Sequence, residues 1–149
     1  MQRAKASLNN LGGCFQNGLR DEASRWLKEG VWDLETAKIL HNSGRYNAAA
    51  YYSHQAAEKA VKALLYLVNE AAWGHSVRIL LERFAEKKKL MVNELLQYAR
   101  ELDRHYIPSR YPNAHPAGTP HEAYDENTSL KAVEAAERLI SFARKFIET

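Results

Sequence analysis

The chain has 149 residues, of which 46% are hydrophobic and 26% charged; that fits one globular domain able to bury about 68–70% of its unfolded surface. A single cysteine, Cys14, excludes an internal disulfide framework and a cysteine-based zinc cluster, and it points to a reducing, cytoplasmic compartment. The formal net charge of +3 excludes a strongly basic nucleic-acid binder, and no run approaches the length of an apolar membrane span.

Residues 1–20 carry Arg3, Lys5 and Arg20 and no acid. The remaining 18 basic and 18 acidic residues cancel, so the body offers no bulk attraction to phosphate and any RNA contact must be local. The stretch Asn9-Asn10-Leu11-Gly12-Gly13 reads as flexible punctuation, which makes residues 1–20 a flexible tail and 21–149 the folded domain. The tail also has no apolar core of the secretory kind.

The first helix is predicted to start at Asp21, an N-cap residue followed by Glu22. Ala23, Trp26, Leu27, Gly30, Leu34, Ala37 and Leu40 recur at helical spacing until Gly44 stops them. The link is short, so the second helix, Tyr46–Asn69, should lie antiparallel to the first. Seven alanines between Ala48 and Ala63 favour the helix and allow a close neighbour, which makes this segment central or part of a tight subunit contact. Gln55, Glu58, Lys59 and Lys62 occupy its opposite, polar face, where Glu58 and Lys62 form an i,i+4 pair. Tyr46, Tyr51 and Tyr52 read as core and interface.

A short helix over Ser76–Lys87 turns Val77, Leu80, Leu81 and Phe84 inward, with Ser76 as its cap and His75 bonding locally. Lys87-Lys88-Lys89 suit its C-terminal dipole. A helix over Met91–Tyr106 ends at Pro108 and Pro112. The loop Ile107–Tyr124 holds all four prolines together with Arg110, His115 and His121; loops of this length inside a domain are commonly functional. The last helix, Glu126–Glu148, carries Leu130, Val133, Ala136, Ile140, Ala143 and Ile147 on one face. No segment alternates at period two. The chain therefore reads as all-α, an up-and-down bundle of four main helices plus a short additional helix.

Metal and cofactor chemistry find no support. Glu-x-x-His pairs of the di-metal bundles are missing, and His54 with Glu58 is one pair, not a ligand set. No glycine-rich phosphate loop is present. Arg-x4-His occurs twice, at Arg100–His105 and Arg110–His115. Such a pair suits RNA cleavage: the histidine moves a proton of the 2′-hydroxyl or of the leaving oxygen, and the arginine stabilises charge on the phosphate. Arg100 and His105 fall on one helix about 140° apart, so they diverge and read as surface residues. Arg110 and His115 lie in the proline-bounded loop and are the candidate site.

In order and spacing the chain resembles the HEPN domain family (higher eukaryotes and prokaryotes nucleotide-binding). The resemblance covers most of residues 21–147. It is carried by Ala23, Trp26-Leu27, Asp33-Leu34, Ala37 and Leu40, then Gly44-Arg45-Tyr46 and Ala49. It continues through Gln55-Ala56-Ala57-Glu58-Lys59-Ala60 with Lys62-Ala63, Gly74-His75-Ser76 with Leu80, and Tyr106-Ile107-Pro108-Ser109-Arg110-Tyr111-Pro112. The resemblance implies a helical bundle that forms a homodimer and pairs with a minimal nucleotidyltransferase as a toxin–antitoxin couple. It implies a metal-independent RNase at a cleft between two subunits, with Arg110 holding the phosphate of RNA and His115 as acid or base. Active members often carry a tyrosine two residues after the histidine, where this chain has Ala117. Members without the activity are nucleotide-binding or protein-interaction modules, which is the alternative reading.

Overall fold

The computed structural model describes residues 2–149, with side chains from Gly12 onward. Helices are α1 (Gln2–Asn42), α2 (Tyr46–Leu67), α3 (Val77–Lys88), α4 (Asn93–Asp103), α5 (Pro120–Ala123) and α6 (Glu126–Ile147). A 3-10 turn spans Pro112–Ala114. No strand occurs among the described residues. Five of the helices are long and α5 is a single turn, so the expected all-α bundle is what forms. Among the described residues no helix is long and apolar enough to cross a membrane.

The main difference from expectation lies at the start. Met1 falls outside the described residues, but from Gln2 the backbone is already helical, and Asp21 sits inside α1 instead of capping it. Extending an existing helix adds one hydrogen bond per residue fixed, so the interior glycines Gly12, Gly13 and Gly18 weaken the extension without forbidding it. Arg20 also ties this segment to the bundle. Its Nη1 donates to the Ile147 carbonyl at 2.7 Å, satisfying an acceptor that the end of α6 leaves open.

Gly44 adopts φ +76°, and the Arg45 amide returns to the Leu40 carbonyl at 2.9 Å, closing α1 and reversing the chain. α1 and α2 then run antiparallel in close contact. Trp26 stacks on Tyr66 with ring centres 5.2 Å apart, Asp33 pairs with Lys59, and His41 meets Tyr46 at 5.7 Å. Gly30 permits the approach: a β-carbon there would lie 2.9 Å from the Ala56 carbonyl oxygen. Alanines of α2 and α6, among them Ala56, Ala60, Ala132 and Ala136, are fully buried. They let α6 seat against α2, while Phe84 of α3 wedges edge-on against Phe142 and Phe146 of α6.

Apart from the start of α1, expected helix ends hold to within a few residues; α4 stops at Asp103 and not at Tyr106. There the chain continues as a run of single turns (His105 N to Leu102 O, Tyr106 N to Asp103 O, Tyr111 N to Ile107 O) before Pro112. Pro108 and Pro112 lack the amides that regular helix would need.

The polar face expected on α2 is not a solvated one. Glu58 is only 6% exposed, and its Oε1 accepts from Lys62 Nζ at 2.9 Å and from His75 Nδ1 at 3.1 Å. α3 and the turns after α4 fold over this face and make it the floor of the site described next.

Candidate functional site

α4 holds the N-terminus of α3 through one carboxylate. Asp103 accepts from Ser76 Oγ (2.8 Å), the Val77 amide (2.8 Å) and the Arg78 amide (3.2 Å). A fourth donor is the buried His54 of α2, whose Nε2 lies 3.2 Å from Asp103 Oδ1. Burial pushes the Asp103 carboxyl up, but the hydrogen bonds from His54, Ser76 and the two amides outweigh it, so its pKa lies below the ordinary carboxylate value. Ser76 caps α3 as expected, accepting from the Ile79 amide.

His75 does not bond locally. Gly74, at φ +93°, turns the chain so that the imidazole of His75 reaches back to Glu58. A carboxylate can only accept, so Nδ1 of His75 donates and Nε2 is the outward end of a side chain that is 59% exposed. Below this pair, His54 Nδ1 faces Glu58 Oε2 at 3.8 Å. Neither of these two buried atoms has a hydrogen-bond partner among the described residues.

Tyr106 joins this cluster to the loop. Its ring stacks on His75 (centres 5.1 Å apart, planes 18° apart) and also meets His54 at 5.1 Å. The Arg110 guanidinium lies 4.8 Å from the centre of the same ring, 4.5 Å from that of Tyr51 and 4.9 Å from that of Tyr111. Nε and Nη2 of Arg110 both donate to the Tyr106 carbonyl, at 2.9 and 2.7 Å. Two donors are thereby used and three N–H groups remain, on a plane stiffened by three aromatic faces. From α2, Asn47 Nδ2 donates to the Ser109 carbonyl at 3.0 Å and pins the turn.

His115 belongs to the same loop and has a separate anchor. Its Nε2 donates to the Pro108 carbonyl at 2.6 Å, which assigns the proton of the neutral ring to Nε2 and leaves Nδ1 as the basic nitrogen. The ring meets Tyr124 edge-on at 6.5 Å. No hydrogen bond joins Arg110 to His115 among the described residues; each is fixed to its own backbone carbonyl.

The other candidate pair also diverges, although His105 lies in the turns beyond the end of α4 and not on one helix with Arg100. Arg100 is exposed, while His105 is buried rather than on the surface. His105 lies 2.8 Å from the Tyr124 hydroxyl through Nδ1 and 3.3 Å from Glu101 through Nε2. Burial holds the His105 pKa below its ordinary value despite the Glu101 charge. Burial, with a smaller push from Glu101, raises Tyr124 to about 12. The phenol therefore stays protonated and donates to a neutral imidazole. His121 is exposed beside Thr119. Among the described residues no three His, Cys, Asp or Glu side chains are grouped to hold a metal ion.

A helical bundle whose second helix, α3 cap and post-α4 turns converge on one cluster defines a recognisable class. The chain belongs to the HEPN domain family, whose model, the HEPN domain, matches residues 23–149. It is 29% identical over 136 residues, 85% of this chain and 88% of the other, to a Methanocaldococcus jannaschii protein named as a putative toxin. A Thermus thermophilus crystal structure shares its fold with a TM-score of 0.80 and 34% identity, over 83% of this chain and 97% of that one. A structure described as an archaeal HEPN homologue matches with a TM-score of 0.70 and 33% identity, over 85% and 98% of the two chains. A HEPN domain protein of Thermotoga maritima matches with a TM-score of 0.67 and 33% identity, over 83% and 98%.

Proposed function

We propose that this HEPN protein is the toxin-like member of a two-protein pair and acts as a metal-independent endoribonuclease, with Arg110 and His115 at a cleft between two copies of the chain. The observation that carries the reading is the separate anchoring of these two side chains on one loop. His115 presents a basic Nδ1 because Nε2 is committed to Pro108, and Arg110 keeps three N–H groups while its plane is clamped. The relative named as a toxin supports the biological side of it. The partner in the pair is a minimal nucleotidyltransferase, which keeps the ribonuclease silent.

In this reaction Nδ1 of His115 takes the proton of a ribose 2′-hydroxyl. The 2′-oxygen attacks the adjacent phosphorus, the bond to the 5′-oxygen breaks, and a 2′,3′-cyclic phosphate and a 5′-oxygen result, the latter becoming a 5′-hydroxyl on taking up a proton. Arg110 donates to the non-bridging oxygens, where charge accumulates. Proton transfer from a positioned group contributes about 100- to 10,000-fold. The test is cleavage of RNA by the wild-type chain freed of any partner and by Arg110→Ala and His115→Ala. Cleavage by the wild type alone supports the reading; equal cleavage by all three, or none by the wild type, removes it.

A second reading is favoured by the aromatic surround of Arg110. Tyr51, Tyr106 and Tyr111 around one guanidinium also suit a non-catalytic nucleotide-binding module, in which a base stacks on an exposed ring. Calorimetry with nucleoside mono- and triphosphates separates the two: micromolar binding without cleavage supports the module.

A further inference from the structure

The ribonuclease reading provides a base and a phosphate clamp, but it leaves the departing 5′-oxygen without a proton donor. We infer that His75, oriented by Glu58, is that donor, the general acid of the same site. The inference rests on the ribonuclease reading and names a catalytic residue that reading lacks.

Three observations carry it. Glu58 is 6% exposed and lies in the middle of α2, so its carboxylate is fixed by the bundle. Its Oε1 binds Nδ1 of His75 at 3.1 Å, while the His75 side chain is 59% exposed. A buried carboxylate behind a solvent-facing imidazole orients the ring so that Nε2, which carries the transferable proton of the imidazolium, points to where substrate can reach it. Lastly, His75 and Arg110 share the Tyr106 ring, at 5.1 and 4.8 Å from its centre. They are therefore no more than about 10 Å apart, a span that one phosphodiester, bound by Arg110 and approached by Nε2, can bridge.

Lys62 also binds Glu58, at 2.9 Å, and fixes the position of the carboxylate from the other side. The step balances. The imidazolium of His75 gives its Nε2 proton to the 5′-oxygen as the P–O5′ bond breaks, His115 holds the proton taken from the 2′-hydroxyl, and exchange with water restores both. Glu58 is a positioning residue, because it acts only through His75.

The experiment compares two short RNA substrates, one with a normal linkage and one with sulfur in place of the bridging 5′-oxygen. A thiolate leaves without protonation, so the second substrate needs no acid. The full-length chain and its His75→Ala, His75→Gln and His115→Ala variants are assayed, with thermal melting to confirm that each is folded. The expected result is a loss of about 100-fold for both His75 variants on the normal linkage and little loss on the sulfur linkage. His115→Ala loses activity on both. Glu58→Gln lowers kcat on the normal linkage with KM unchanged, and it too is rescued by sulfur, which a merely structural defect would not be. Equal losses on both substrates, or no loss, overturn the role of His75 and leave the ribonuclease reading standing. A wild-type chain that cleaves neither substrate overturns both.

Discussion

Gly30 of α1 lies directly against the backbone of Ala56 in α2, with room for a hydrogen but not for a methyl group. A β-carbon at position 30 would sit 2.9 Å from the Ala56 carbonyl oxygen and 3.4 Å from the Ala60 nitrogen. This contact sets the spacing of α1 and α2, and through α2 it sets the position of Glu58 and Tyr51.

Gly30→Ala should therefore destabilise the protein although alanine is the better helix former. Forcing a methyl into a filled contact costs about 1–3 kcal/mol, which lowers Tm by roughly 2–4 °C per kcal/mol in a domain of this size. Gly18→Ala is the control, since nothing lies within 4 Å of that position; it should stabilise α1 by about 0.5–1 kcal/mol. Thermal unfolding of both variants checks the pair. A rise in Tm for Gly30→Ala would mean that the helices separate freely.

Asp103 joins α4, α3 and His54, and its stability contribution depends on charge. Its folded pKa lies below the unfolded value, so the contribution is complete above about pH 4 and is lost as pH falls through the folded pKa. Asp103→Asn removes the charge acting on the Val77 and Arg78 amides. It should lower stability near pH 7 by about 1.5–3 kcal/mol, the usual value of hydrogen bonds to a charged group. The difference from wild type should shrink below pH 4. Urea unfolding at pH 7 and pH 3 measures it, and a constant difference would refute the assignment.

Tyr124 and His105 form a buried neutral pair. With the folded phenol at about 12, above its ordinary value, the contribution of Tyr124 is fully present below pH 10 and disappears as pH rises through 12. His105 has the opposite sign: its lowered pKa makes its contribution present above about pH 6.5 and lost as pH falls through the folded value. Tyr124→Phe should cost about 1 kcal/mol at pH 7. It should also abolish the phenolate absorbance step near pH 12. Persistence of that step in the variant would assign it to another tyrosine.

Arg110→Lys preserves the charge but not the planar fork that donates twice to Tyr106 or the stacking on three rings. On the proposed ribonuclease reading, RNA cleavage should fall about 100- to 1,000-fold, the range for losing one oxyanion donor, while the melting temperature stays close to wild type. Near-normal cleavage would mean that any cation serves at this position and that the clamp is irrelevant.

The bundle was legible in the chain because its signals are local. Apolar spacing marks α2 and α6, Gly44 marks the reversal, and Ser76 caps α3 as its short-range pattern indicates. α1 misled because a cap residue such as Asp21 carries the same signal inside a helix as at its start. The candidate pair Arg110–His115 was visible as a spacing in a proline-bounded loop. The separate carbonyl anchors were not, since backbone acceptors leave no mark on the sequence.

The sequence by itself determined the helical class, the order of the helices and the loop that holds Arg110 and His115, because periodicity, caps and prolines act over a few residues. Only the tertiary structure decided that Glu58 is a buried acceptor for Lys62 and His75 rather than part of a solvated face. It alone placed Tyr106 between His75 and Arg110. Those contacts join residues that are distant along the chain, and they form only when helix packing brings α2, the start of α3 and the turns after α4 together.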